Sequence, residues 1–299
     1  MFSLIRNGKE AVIKQNLFVR EKEYELEYLT FAPLENISCI QHLFSTRVGG
    51  VSEGIYSSMN LSYTRGDEKE SVDENFQRIA AVLGTSPDHF VCSDQTHTAN
   101  VRIVTKADRG KGITLPKDYS DVDGLITNEK GIVLATFYAD CVPLYFVDPV
   151  KEVIGLSHSG WKGTVKAIGR ETIRLMQQEY GCCPQDIIAA VGPSICKECY
   201  EVSEDVAQAF KKAFSEDAFL NQKSAYDSII SYRNERQKEN GKCQLDLHEA
   251  NRWILQSAGI LPEHIFVTDV CTAHNSDYLF SHRKTDGKRG NLGAFLCLV

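Results

Sequence analysis

The stretch that decides the fold is 136-TFYADCVPLYFVDPVKEVIGLSHSGWKG-163. Two apolar runs, 143–147 and 153–158, flank Asp148-Pro149-Val150-Lys151. That is a turn composition: Pro presets φ at the second position and Asp can bond the backbone just ahead of it. Strands joined by so short a connection are antiparallel. In a hairpin, residues equidistant from the turn lie opposite each other, and Cys141 and His158 are centred on the same point as 148–151. The reading predicts that the two face each other with Cβ atoms about 4.5–5.5 Å apart. A zinc ion with bonds of about 2.3 Å to sulfur and about 2.0–2.1 Å to nitrogen fits between them.

Working outward, Ser159-Gly160-Trp161-Lys162-Gly163 leads from the second strand into a helix. A glycine turn before a helix N-terminus offers free N–H groups to an anion, with Lys162 adding charge. The plainer reading is a β-to-α turn that needs its glycines for geometry. Upstream, 92-CSDQTHTANVRIV-104 carries His97 in a polar loop entering a strand, and such loops often hold functional groups. His97, Cys141 and His158 together make three ligands with an open fourth position, the pattern of a catalytic rather than a structural zinc site.

The hairpin sits among other short apolar runs at 24–31, 38–45, 99–104, 132–138, 187–192, 265–270 and 292–298, which read as strands. Helical spacing marks 71–83, 164–180 and 203–214. A further helix starts at Asp246, where Asp246 and Glu249 form a capping-box pattern, and ends at Gly259. Some strand pairs are joined by tight turns and others by helices, so the sheets should be mixed. The expected class is α+β, a layered sandwich, in one domain spanning 1–299, because no Gly/Ser/Pro-rich linker or charge block divides the chain.

Composition narrows the function. The chain has 299 residues, 42% hydrophobic and 24% charged, with net charge −7, which disfavours a phosphate-backbone binder and favours a small-molecule partner. The N-terminal stretch has no apolar h-region and no run reaches the ~20 residues of a membrane span, so a cytoplasmic protein is expected. The ten cysteines are irregularly spaced and read as reduced. Cys39, Cys92, Cys243, Cys271 and Cys297 lie in apolar runs and read as small buried side chains. Cys196-Lys-Glu-Cys199 has CxxC spacing, but with no second such pair it reads as structural. Arg47, at a strand end before Gly49-Gly50, can grip an anion or simply border a turn. Arg283 belongs to the basic segment 282–290, which by composition is a solvated loop.

These segments together resemble the YfiH/YlmD family, bacterial relatives of the human laccase-domain protein and long called multicopper polyphenol oxidases. The shared motifs are HLFSTRVGGVSEGIYSSMNLS (42–62), DENFQRIAAVLG (73–84), QTHTANV (95–101), DVDGLIT (121–127), ADCVPLYFVD (139–148), GLSHSGWKGT (155–164), GPSICKECYEV (192–202), LDLHEANRWILQSAGI (245–260) and CTAHNSDYLFSHR (271–283). The resemblance implies a four-layer α/β/β/α sandwich and a zinc site on His97, Cys141 and His158. It also implies purine nucleoside chemistry: phosphorolysis of adenosine, inosine, guanosine and methylthioadenosine, with adenosine deamination as a second activity. Arg47 and Asn60 match family positions lining the pocket and are carried over as substrate or phosphate contacts, with Lys162 and Arg283 as further substrate-binding candidates. A Thr-Gly-Arg element usual near the family's C-terminus is replaced by Arg289-Gly290-Asn291.

On that reading the partners are purine nucleosides and phosphate, and the cation activates water for attack at purine C6. Arg47, Lys162 and the helix N-terminus would hold phosphate against ribose C1′, and Asp140 is a candidate proton shuttle or an orienting partner of the ligands. Three other readings compete. A copper polyphenol oxidase would need several clustered histidines, more than one Cys and two His. A cysteine hydrolase would use Cys141 as nucleophile and His158 as base. A non-catalytic nucleoside sensor or peptidoglycan-editing protein would keep the metal as structure.

Overall fold

The computed structural model describes residues 2–8, 11–21, 23–217, 220 and 223–299. Its strands form three sheets. Sheet one runs, in spatial order, β1 (Ile13–Arg20), β2 (Tyr24–Phe31), β3 (Ile40–Ser45), β15 (Leu292–Leu298), β7 (Val133–Tyr138) and β4 (Phe90–Cys92). Sheet two runs β14 (Ile265–Val267), β10 (Ile188–Val191), β8 (Val142–Asp148), β9 (Val153–Ser159), β6 (Gly124–Thr127) and β5 (Val101–Ile103). A small third sheet holds β11 (Glu201–Ser203), β13 (Lys242–Leu245) and β12 (Ile230–Ser231). Both large sheets are mixed: β4 with β7, β5 with β6 and β10 with β14 are parallel, the other pairs antiparallel.

The two large sheets pack face to face. Phe31, Phe44, Leu134 and Leu296 from sheet one meet Tyr145, Leu156, Leu125 and Ala190 from sheet two in one buried cluster. Because both faces of these strands are covered, β8, β9 and β15 are buried at every position, which is why they read as continuous apolar runs rather than alternating ones.

Helices cover the outer faces. On sheet one, α1 (Lys69–Val82) lays Val72, Phe76 and Ile79 against Leu43, Phe90 and Phe295; each such fully buried side chain contributes about 1.5–3 kcal/mol. On sheet two lie α2 (Trp161–Val165), α3 (Ile168–Tyr180) and α7 (Leu247–Ser257), while α4 (Glu204–Ser215), α5 (Lys223–Ile229) and α6 (Glu235–Glu239) pack around the small third sheet, α4 also against α2 and α5 against α7. Several of them contribute to a second large core with Leu144, Phe146 and Val191. The order helix, sheet, sheet, helix is the four-layer α/β/β/α sandwich expected. No helix among the described residues is long and apolar enough to cross a membrane.

Two local expectations are corrected. The helix predicted over 164–180 is two helices, because Ala167 takes a left-handed conformation, φ 55°. This reorients the chain so that Ile168, Ile173 and Met176 all reach the sheet-two core. At α7, Asp246 caps the helix by accepting from Glu249 N at 2.9 Å, but the reciprocal half of the box is missing. Glu249 bonds Arg252 instead, and Asp246 N is taken by Ile229 O.

Candidate metal centre and its pocket

Two strands of sheet two and a loop beside it build the site. In the β8–β9 hairpin, Val142 pairs with Ser159 and Asp148 with Val153, so Pro143, not Cys141, stands across from His158. The predicted direct opposition is therefore corrected. The turn starts one residue later than its composition suggested: Asp148 remains in the strand and its Oδ1 accepts from Val150 N and Lys151 N at 2.9 Å each, while Glu152 closes the turn at φ 50°. The pairing differs from the predicted one by two residues, and an even displacement leaves each side chain on its own face. Cys141 thus lies diagonal to His158, still within reach.

His97 reaches the pair from the loop before β5. One carboxylate shapes that loop: Asp123, wholly buried, accepts from Thr96 N at 3.2 Å, His97 N at 3.1 Å and Thr98 N at 2.7 Å. It also faces His158 Nδ1 at 2.8 Å. This bond places the proton on Nδ1 and leaves Nε2 free to ligate. The donor atoms of His97, Cys141 and His158 all lie within 4.8 Å of one another, with Cys141 Sγ 4.0 Å from His97 Nε2 and the imidazole centroids 5.0 Å apart.

Gly160 makes room for this convergence. A Cβ there would stand 2.7 Å from His97 Cδ2 and 3.0 Å from Cys141 Sγ, so a side chain at 160 would displace a ligand. Its φ of −72° is open to any residue, so contact with the ligands, not backbone conformation, requires glycine here.

The electrostatics suit a cation. Burial pushes the Cys141 thiol up, but His158 and His97 outweigh it and lower the group to about 6. Burial likewise disfavours the charged His158 ring, yet the Cys141 thiolate and Asp123 raise it to about 9. Asp123, despite its burial, is lowered to about 2 by the bonds from His158 and Thr98. A buried anion paired with an imidazolium is an arrangement in which a divalent ion can replace the proton. One thiolate and two imidazoles also match the ligand types of catalytic zinc. Among the described residues, neither group of metal-capable side chains offers the histidine cluster of a multicopper centre.

The three donors open on a cavity of about 490 Å³ whose other walls include Arg65, Gln95, Lys117, Phe137, Arg289 and Asn291. Arg289 is 7% exposed and its Nε has no hydrogen-bond partner. Burial and the nearby Arg65 lower its guanidinium to about 10. Two like charges converging on a cavity invite an anion between them.

The remaining sequence-predicted residues stand around this cavity rather than in it. Arg47 donates to Ser57 O and Ser276 O at 2.9 Å each and lies over the Phe280 ring, 4.8 Å from its centroid. Asn60 is buried and braces the tail, accepting from Asn291 N at 2.9 Å. Lys162 is exposed over the Trp161 ring, and Arg283 donates to Glu201 O at 2.8 Å. Asp140, at φ 88°, accepts from Thr272 Oγ1 and from Arg283 N, both at 2.6 Å, so its carboxylate joins the C-terminal loops to the residue before Cys141. Asp123 and Arg65 escaped the sequence reading, and Arg289, read there as part of a solvated basic loop, is instead buried. The first had a signal in the DVDGLIT motif, an acid immediately before an apolar strand.

Comparison with known proteins shows the family. The sequence profile described as multi-copper polyphenol oxidoreductase laccase matches residues 41–299. The chain is 39% identical over 258 residues to the purine nucleoside phosphorylase YlmD of Bacillus subtilis, covering 85% of this chain and 86% of that protein. It is 33% identical over 261 residues to adenosine deaminase RL5 from an unknown prokaryotic organism, covering 87% and 94%. The crystal structure of YlmD from Geobacillus stearothermophilus superposes with a TM-score of 0.81 at 33% identity, covering 94% of this chain and 98% of that one. By this profile match, these relatives and the shared fold, the chain belongs to the YfiH/YlmD laccase-domain family.

Proposed function

We propose that this protein is a zinc-dependent purine nucleoside enzyme that cleaves adenosine, inosine, guanosine and methylthioadenosine with phosphate and also deaminates adenosine. The observation that carries the reading is the meeting of a three-donor group with a cationic cavity of nucleoside size. The names of the relatives, purine nucleoside phosphorylase and adenosine deaminase, support it.

His97, Cys141 and His158 through Nε2 would hold the zinc, which supplies Lewis acidity at a position open to the cavity. Arg289 and Arg65 bind and orient the phosphate so that one of its oxygens meets ribose C1′ as the glycosidic C–N bond breaks and its electron pair leaves with the purine. Phe137 offers a partly exposed ring on the cavity wall against which the base packs. In deamination, water adds at C6 and ammonia departs. Asp123 holds the His158 ring throughout and keeps the His97 loop in place. Asp140 fits the role of positioning Cys141 better than that of a proton shuttle, because both of its oxygens already accept bonds.

The test is to incubate purified protein with adenosine, with and without phosphate, and to resolve adenine from inosine by chromatography. Adenine and ribose 1-phosphate appearing only with phosphate, inosine appearing regardless, and both lost in a Cys141→Ala protein depleted of zinc are the expected results. A Cys141→Ala protein with full turnover sinks the assignment, and oxygen uptake on phenols would instead support a copper oxidase.

A further inference from the structure

A second group of metal-capable side chains lies outside the cavity. Cys196-Lys-Glu-Cys199 lacks a second CxxC in the sequence, but the fold supplies its counterpart in Cys271-Thr-Ala-His274. The two segments run side by side: Ser194 and Cys271 form a parallel bridge, and Thr272 N donates to Ser194 O at 3.1 Å. A single 3-10 turn, with Cys199 N donating to Cys196 O at 3.1 Å, curls the two cysteines toward one point.

One ligand atom from each of the four residues lies within 4.8 Å of all the others. Cys199 Sγ is 3.2 Å from His274 Nε2, and Cys196 Sγ is 3.8 Å from His274 Nδ1. A tetrahedron with zinc–sulfur bonds of about 2.3 Å and a zinc–nitrogen bond of about 2.0–2.1 Å has edges of about 3.5–3.8 Å. The two contacts meet different ring nitrogens, so a turn of the His274 ring together with small shifts of the thiols closes the group on an ion. Cys196 N donates to Cys271 Sγ at 3.3 Å, a bond that strengthens when the sulfur is a thiolate. Asn7 Nδ2 lies 3.0 Å from His274 Nδ1; a rotation of that amide would let its oxygen accept from Nδ1–H when Nε2 ligates. Cys196 and Cys271 are buried while His274 is exposed, which gives the ion a route in. A disulfide would use only two of the three thiols and would leave the imidazole unexplained.

We propose that Cys196, Cys199, Cys271 and His274 form a second zinc site, closed by four protein ligands and therefore structural. On this proposal Cys196, Cys199 and Cys271, the last buried as expected, would serve as ligands as well as in packing. The site's position gives it a purpose. Ile195, beside one ligand, donates its N–H to Asp140 O at 3.0 Å, and Thr272, beside another, donates to Asp140 Oδ1 at 2.6 Å. The clip thereby holds the residue that precedes Cys141.

The experiment measures zinc by mass spectrometry in purified full-length protein and in Cys141→Ala, Cys199→Ser and the double variant, then replaces zinc with cobalt. Two zinc ions per chain in the parent, one in each single variant and none in the double are expected. Cobalt in Cys141→Ala should show the intense thiolate charge-transfer absorption of a three-sulfur tetrahedral site, and in Cys199→Ser this should fall to the weaker band of the one-thiolate site at Cys141. A Cys141→Ala protein with no zinc and no such absorption overturns the proposal, as does a disulfide among these cysteines in freshly purified protein. Should Cys199→Ser fail to fold, the cobalt spectrum of Cys141→Ala still decides the question. None of these readouts depends on turnover, so failure here is distinguishable from failure of the nucleoside assignment.

Discussion

Asp123 bonds His158 Nδ1 at 2.8 Å while the same carboxylate gathers the backbone N–H groups of Thr96, His97 and Thr98. One side chain therefore orients one ligand directly and a second through the loop that carries it. Asp123→Asn should weaken zinc binding about 10–100-fold, the range for loss of such a partner. Competition against a chromophoric chelator measures this, and unchanged affinity would show that the carboxylate is not what organises the triad.

Gly160→Ala isolates geometry from folding. The backbone there accepts alanine, but the new Cβ would crowd His97 Cδ2 and Cys141 Sγ at 2.7 and 3.0 Å. A displacement of that scale should reduce turnover by about 10²-fold, and zinc content should fall while the thermal midpoint moves little. Retained zinc and turnover would mean that the ligands do not converge as described.

Arg289→Met removes charge from the cavity with little change in volume. The KM for phosphate should rise about 10-fold or more, the scale of a lost charge-assisted bond, while phosphate-free deamination of adenosine changes little. Equal losses in both reactions would place Arg289 in general support of the cavity rather than at the phosphate.

His42, in β3, is buried beneath Phe31 and Tyr145 and accepts from Phe31 N at 2.8 Å. Burial outweighs the nearby Glu35 and lowers the ring from 6.5 to about 4. The unfolded chain takes up a proton near pH 6.5 that the folded chain refuses until about pH 4. The stabilisation is complete above 6.5 and is lost as pH falls across that window, a change of about 3 kcal/mol. Urea unfolding of parent and His42→Gln between pH 7 and pH 4 should show a slope steeper by this amount in the parent. Parallel slopes would refute it.

The hairpin shows how a partly wrong reading can still find a site. The turn composition at 148–151 pointed to the loop but not to its first residue, because whether Asp148 ends the strand or begins the turn depends on the two bonds its carboxylate makes across the turn. The resulting displacement was two residues, so Cys141 and His158 kept a common face. An error of one would have separated them. The small sheet at 201–203, 230–231 and 242–245 gave no comparable signal, since strands of two to four residues are too short for a period to show.

Local sequence alone determined most strand runs of the two large sheets, though not β1, β4 or β6, the limits of the longer helices and the chemical types able to bind a cation, because periodicity and side-chain chemistry are carried within a few residues. Tertiary structure alone decided that Asp123 serves two ligands, that Arg65 and Arg289 share a cavity, and that Cys196 and Cys199 meet Cys271 and His274. Each of those meetings joins segments far apart along the chain, and no property of either segment records which partner the fold brings alongside.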